Sequence, residues 1–112
     1  MRLNRTLFTF FFILLFGSHH TSNAAVILQY HHVSESTPAS TSISPAQFEA
    51  HMQYLADNSF RVIALSELID AMKSKRELPD KTVVITFDDA YTDILDNGKP
   101  IMDKFNYPFT IF

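Results

Sequence analysis

The sequence has 112 residues, a formal net charge of −3, no cysteine and only two glycines. Without cysteine there are no disulfides and no lipid-anchored lipoprotein. A mildly acidic chain gives no electrostatic footing for nucleic acid, and the length limits it to one small domain.

Arg2 and Arg5 open the chain, and an apolar run, Leu7 to Phe16, follows. That run falls well short of the ~20 residues that a helix needs to span a bilayer. The tract "GSHHTSNA" leads to Ser22-Asn23-Ala24, whose small residues at −3 and −1 predict cleavage after Ala24. Residues 1–24 therefore read as an export signal, with an uncleaved membrane anchor as the alternative. The mature chain, residues 25–112, is expected in the periplasm, secreted or at the cell surface, with no stable membrane span. Removal of Arg2 and Arg5 takes its formal charge from −3 to −5. His19 and His20 fall in the signal and are not candidate ligands.

The elements follow in order. "AVILQY", Ala25–Tyr30, is a continuous apolar run that predicts a buried strand ending in "HHVS". Ser34–Ser42, rich in Ser, Thr and Pro, reads as a loop. Ser44, Pro45 and Gln47 form a capping box with proline at the first helical position, so a helix starts there and runs to about Asn58. Phe48, Met52 and Leu55 give it one apolar face. His51, beside Met52, reads as a surface or packing histidine. "FRVIAL" predicts a short strand. Ser66 is expected to cap the helix "SELIDAMKSKR", with Leu65, Leu68, Ile69 and Met72 as its buried stripe and Lys73, Lys75 and Arg76 at the negative end of its dipole. After the turn "LPDK" comes the strand Thr82–Phe87. "AYTDILDNG" reads as loop or ragged helix, punctuated by Gly98. A short helix is expected over Pro100–Phe105, and "FTIF" opens a last strand.

This alternation of helices with apolar strands predicts an α/β fold with parallel strands and flanking helices. Phe109, Ile111 and Phe112 would leave an apolar strand uncovered at the end of the chain, so more chain is expected after Phe112.

The strand "VVITF" ends on two adjacent carboxylates, Asp88 and Asp89. Functional groups gather at the C-terminal ends of parallel strands. Two close carboxylates repel, and a divalent cation relieves the repulsion: one can ligate the metal while the other takes a proton from water. A polar strand end with one Asp capping the next turn is the plainer reading. A nucleotide hydrolase would need a Gly-x4-Gly-Lys loop, and the mature chain has one glycine, Gly98. A phosphoacceptor receiver domain also carries an acidic pair, but an export signal argues against it. A glycosidase pairs carboxylates about 5–10 Å apart from different strands, which adjacent residues fit poorly.

"VVITFDD" followed by "AYTD" resembles the first motif of the polysaccharide deacetylases, carbohydrate esterase family 4, also called the NodB-homology domain. The order "LQYHHVS", "SISPAQFEAHMQYLADNSFRVIALSELIDAM", "VVITFDD" is similar to the poly-N-acetylglucosamine deacetylase branch, and the likeness covers essentially all of residues 25–112. It implies a partial (β/α) barrel, the first half only: the N-terminal portion of the domain, truncated at Phe112. It implies Asp88 as catalytic base, Asp89 as metal ligand and His31 as general acid, with His32 at a variable position. It implies a divalent metal, zinc being the expected one, and a polysaccharide substrate that loses N-acetyl groups. Two features depart from the pattern. Ala90 stands where the family usually has glycine, which predicts a slightly different turn. No His-x-x-x-His occurs, so one metal ligand of three is present and the 112 residues alone are expected to be inactive. The rival reading is a truncated, non-catalytic remnant or a glycan-binding fragment. The oligomeric state is not legible.

Overall fold

The computed structural model describes residues 24–112; all but the last residue of the expected signal lies outside them. The fold is built on one buried strand. Strand β1 spans Val26–Tyr30, β2 His32–Val33, β3 Ser42–Ile43, β4 Arg61–Val62, β5 Thr82–Phe87 and β6 Thr110–Ile111. Helix α1 spans Pro45–Asp57, α2 Leu65–Ser74 and α3 Lys99–Phe105. All six residues of β5 are buried. It pairs in parallel with β1 from Val26↔Val83 to Tyr30↔Phe87. Its other edge carries β4 at Thr82 and Val83 and β6 at Thr86 and Phe87. A second parallel pair joins β2 to β3. The expected parallel strands with flanking helices are present.

Alternation along β5 sends its side chains to two cores. Val83, Ile85 and Phe87 join Val33, Phe48, Met52, Leu55, Ile94 and Met102 in the larger one. Val84 joins Ile63, Leu68, Ala71 and Leu78 in the smaller. Tyr30, Phe48 and Phe87 form an aromatic cluster in the larger core, with the Tyr30 and Phe48 rings edge to face at 5.0 Å. Burial pushes the Tyr30 hydroxyl up to about 12, and that hydroxyl lies 3.0 Å from His51 Nδ1.

Helix α1 starts as its sequence predicts. Ser44 and Gln47 close the capping box, Asn58 ends the helix, and Phe48, Met52 and Leu55 are its buried residues. Four other expectations are corrected. Val26 and Ile27 are 52% and 50% exposed, because β1 lies at the sheet edge and has no second partner strand among the described residues. Helix α2 is capped by the backbone at Ala64, with Ser66 inside the helix and no side-chain cap. Its buried residues are Leu68 and Ala71, while Ile69 and Met72 are exposed, so the buried face is rotated from the expected stripe. Finally, Gly98 does not punctuate. A π-helical segment, Ile94–Gly98, runs straight into α3. Gly98 is buried there, and a Cβ on it would stand 3.3 Å from Val33 Cγ2 and 3.7 Å from Phe87 Cζ. The glycine permits close approach of this segment to β2 and β5.

The turn after β5 is strained. Asp89 has φ 71° and Ala90 φ 47°, two successive residues in the left-handed region. Alanine there costs about 1–2 kcal/mol, because its Cβ crowds the backbone. Ala90 thus takes a conformation that favours glycine, without being one. Ala90→Gly should raise stability by about 1 kcal/mol in urea denaturation, the strain relief being partly offset by the extra freedom of glycine when unfolded. An unchanged or lowered midpoint would show that the strain is not borne by Ala90.

Tyr30 gives a pH dependence. Its raised pKa means that the folded state holds the phenol proton more tightly than the unfolded chain. The stabilisation is complete below the ordinary tyrosine pKa of about 10 and is lost as pH rises from there through about 12. The urea midpoint of the wild type should fall across that window more steeply than that of Tyr30→Phe. Parallel curves would contradict this.

Candidate active site

The strand register assembles the site. Tyr30 faces Phe87 across the β1–β5 ladder, so the next residues, His31 and Asp88, leave the strand ends side by side. The Asp88 N–H donates to Tyr30 O at 2.8 Å, which extends the ladder to the carboxylate. Residues paired in register share a face, so Gln29, His31, Thr86 and Asp88 lie on the face opposite Tyr30 and Phe87.

That face changes character along the strands. On β5 it runs Thr82, Val84, Thr86 and then Asp88; on β1 it runs Ala25, Ile27, Gln29 and then His31. At the N-terminal end Val84 packs against α2. At the C-terminal end the groups are polar, and water reaches Gln29, His31 and Asp88, while Thr86 is buried.

The two residues for which the family resemblance implies acid–base work lie together here. His31 Nε2 lies 3.7 Å from Asp88 Oδ2, and the side chains are 35% and 28% exposed. The same oxygen accepts a hydrogen bond from Gln29 Nε2. Sequence reading missed Gln29; its signal was its place two residues before His31, on the same face of an otherwise apolar strand. Asp89 leaves this arrangement. Its left-handed backbone turns it out of the strand, and it is exposed. His51 is held by Tyr30 on the opposite side of the sheet from His31, in keeping with a packing role.

Asp89 does not make a metal site with its neighbours. Among the described residues no group of three or more His, Cys, Asp or Glu is placed to hold a metal ion. A catalytic zinc takes three protein ligands, so these residues do not fit one by themselves. No helix among the described residues is long and apolar enough to cross a membrane.

A second polar cluster was not foreseen. His32 Nδ1 lies 2.7 Å from Asp93 Oδ2, and Asp93 Oδ1 accepts the Val33 N–H at 2.8 Å. The His32 ring stacks on Tyr91 with centroids 3.6 Å apart. No local pattern announces a pair 61 residues apart in sequence.

No family model matches the chain. Individual relatives do. YxkH of Bacillus subtilis, a protein assigned to the polysaccharide deacetylases, is 35% identical over 86 residues, covering 77% of this chain and 30% of its own length. The poly-β-1,6-N-acetyl-D-glucosamine N-deacetylase of Staphylococcus epidermidis is 28% identical over 107 residues, covering 83% of this chain and 37% of its own. Among solved structures, IcaB from Ammonifex degensii superposes with a TM-score of 0.73 at 31% identity, covering 79% of this chain and 37% of IcaB. The chain thus spans about a third of the length of the relatives it matches. In sequence and in fold, the chain is similar to one part of a polysaccharide deacetylase domain, an α/β segment with the parallel strands and flanking helices of a partial barrel.

Proposed function

We propose that the whole protein to which these residues belong is an exported hydrolase that removes N-acetyl groups from an N-acetylglucosamine-type polysaccharide. The observation that carries this reading is the contact between His31 and Asp88 at the ends of two adjacent parallel strands, in a chain similar to deacetylases. Deacetylation is amide hydrolysis. It needs a base to take a proton from the attacking water and an acid to protonate the departing amine. Asp88 is the base: its carboxylate is held by Gln29 and remains open to water. His31 is the acid, supplying the proton from Nε2. The bond broken is the amide C–N bond, and the products are acetate and a free amino sugar.

Export rests on the signal read over residues 1–24. The reading further assigns Asp89 as one ligand of a divalent cation, zinc being the expected one, which would polarise the acetyl carbonyl when bound. Asp89 alone does not hold such an ion, so the proton transfers are the part of the reaction that the described residues supply. That shortfall favours the rival reading for the 112 residues taken alone: a non-catalytic remnant or a fragment that binds glycan.

One assay separates the two readings. Expressed from its complete reading frame, the protein should release acetate from β-1,6-linked N-acetylglucosamine oligomers when a divalent metal is present. Asp88→Asn and His31→Asn should each lower kcat by about 10²–10⁴-fold, the usual worth of a general acid or base. Undiminished turnover in Asp88→Asn would remove the base assignment. The 112 residues by themselves should release no acetate; metal-dependent release that Asp88→Asn abolishes would overturn the ligand argument.

A further inference from the structure

His31 and Asp88 do not hold themselves together. A separation of 3.7 Å is longer than a hydrogen bond, and both groups are partly solvated. Directly behind them lies a tighter pair that the proposed chemistry leaves unused. His32 follows His31, and Asp93 closes the turn that begins at Asp88. Their side chains are 12% and 18% exposed, against 35% and 28% for His31 and Asp88, so their interaction is less screened by water.

The hydrogen bonds show what this pair restrains. Strand β2 has β3 on one edge, where the His32 N–H donates to Thr41 O and the Ser34 N–H to Ile43 O. Its other edge presents the N–H and C=O of Val33, and no strand among the described residues takes them. Asp93 Oδ1 accepts the N–H, and Asn97 Nδ2 donates to the C=O at 2.8 Å. The second oxygen of Asp93 binds His32 Nδ1. An ionised carboxylate only accepts, so a hydrogen bond to it calls for the proton on His32 Nδ1. Tyr91 covers the ring face. Two segments are therefore tied at several points: residues 32–33, which follow His31, and residues 91–97, which follow Asp88 and Asp89.

Resting on the deacetylase reading of His31 and Asp88, we propose that Asp93 and His32 are positioning residues: their pairing clamps the strand end to the turn and fixes His31 against Asp88. Neither touches the reacting atoms. The clamp sets the relative placement of two residues that belong to separate segments, and placement is what an acid–base pair needs most.

The test uses NMR on the folded chain and needs no turnover, so the clamp and the deacetylase reading fail separately. In the wild type, nitrogen shifts should place a proton on His32 Nδ1; a neutral ring protonated only at Nε2 overturns the proposal. Asp93→Ala should abolish the cross-peaks between the His31 ring and the side chains of Gln29 and Asp88. It should also speed exchange of the Val33 amide by about ten- to a hundredfold, as expected for losing a hydrogen bond to a charged group. The Asp88 amide, bonded to Tyr30, should stay protected. Asp93→Asn retains an acceptor for Val33 and can donate to an unprotonated Nδ1. It should therefore restore the His31 cross-peaks while moving the His32 proton to Nε2. A purely structural Asp93 would lower the urea midpoint and leave the His31 cross-peaks intact in folded Asp93→Ala, and that result overturns the proposal. If Asp93→Ala does not fold, the wild-type tautomer and the cross-peaks of Asp93→Asn decide it.

Discussion

The in-register pairing of β1 with β5 is the constraint from which the site follows. Side chains alternate with a period of two along a strand, so slipping the ladder by one residue would exchange the faces of every residue on β1. Tyr30 would leave the aromatic cluster with Phe48 and Phe87, and His31 would no longer share a face with Asp88. The core thus enforces the site: Leu28 and Tyr30 must point at the larger core, and that requirement sends Gln29 and His31 the other way. No polar contact between His31 and Asp88 is needed to set the register, which is why a 3.7 Å separation is tolerable.

The same alternation separates the two carboxylates. Asp88 continues the ladder of β5 through its backbone bond to Tyr30, whereas Asp89 enters the left-handed region and turns outward. Adjacent like charges are thereby aimed apart, which lessens their repulsion without a bound ion. Strain at Asp89 and Ala90 is the cost of this turn, and strain of that kind persists where surrounding structure over-determines the backbone. Here β5 holds one side of the turn, and the pairing of Asp93 with His32 and Val33 holds the other.

What could be read from the sequence divides by the range of the interactions involved. Strand Thr82–Phe87 and the start of α1 were legible because their signals are local: an unbroken apolar run, and a capping box completed within three residues. The exposed edge of β1 was not, because an apolar run does not say whether a partner strand covers it. Ser66 misled because a good capping residue does not start a helix when the backbone already turns at Ala64. Gly98 misled for a related reason: a residue that weakens an isolated helix is retained where two segments approach too closely for a Cβ. In the site, Asp88 and His31 could be named through the family resemblance. Gln29, His32 and Asp93 could not, since their roles depend on which strand lies beside which.

On the proposed reading, the described residues hold one side of a hydrolytic centre. Asp88 and His31, the proposed base and acid, and the groups around them come from β1, β2, β5 and the turn after β5, and are placed by backbone pairing and by side-chain hydrogen bonds. Asp89 has no such support: it is exposed, on a strained turn, and has no ligand partners among the described residues. The two tasks therefore place different demands on the fold. Proton transfer between His31, water and Asp88 needs only neighbouring strand ends, which a short stretch of parallel sheet provides. Metal binding needs three ligands converging on one point, and a surface turn offers one. A fold that met both demands would have to bring further ligands to Asp89 from beyond its own turn, because no neighbour among the described residues supplies them.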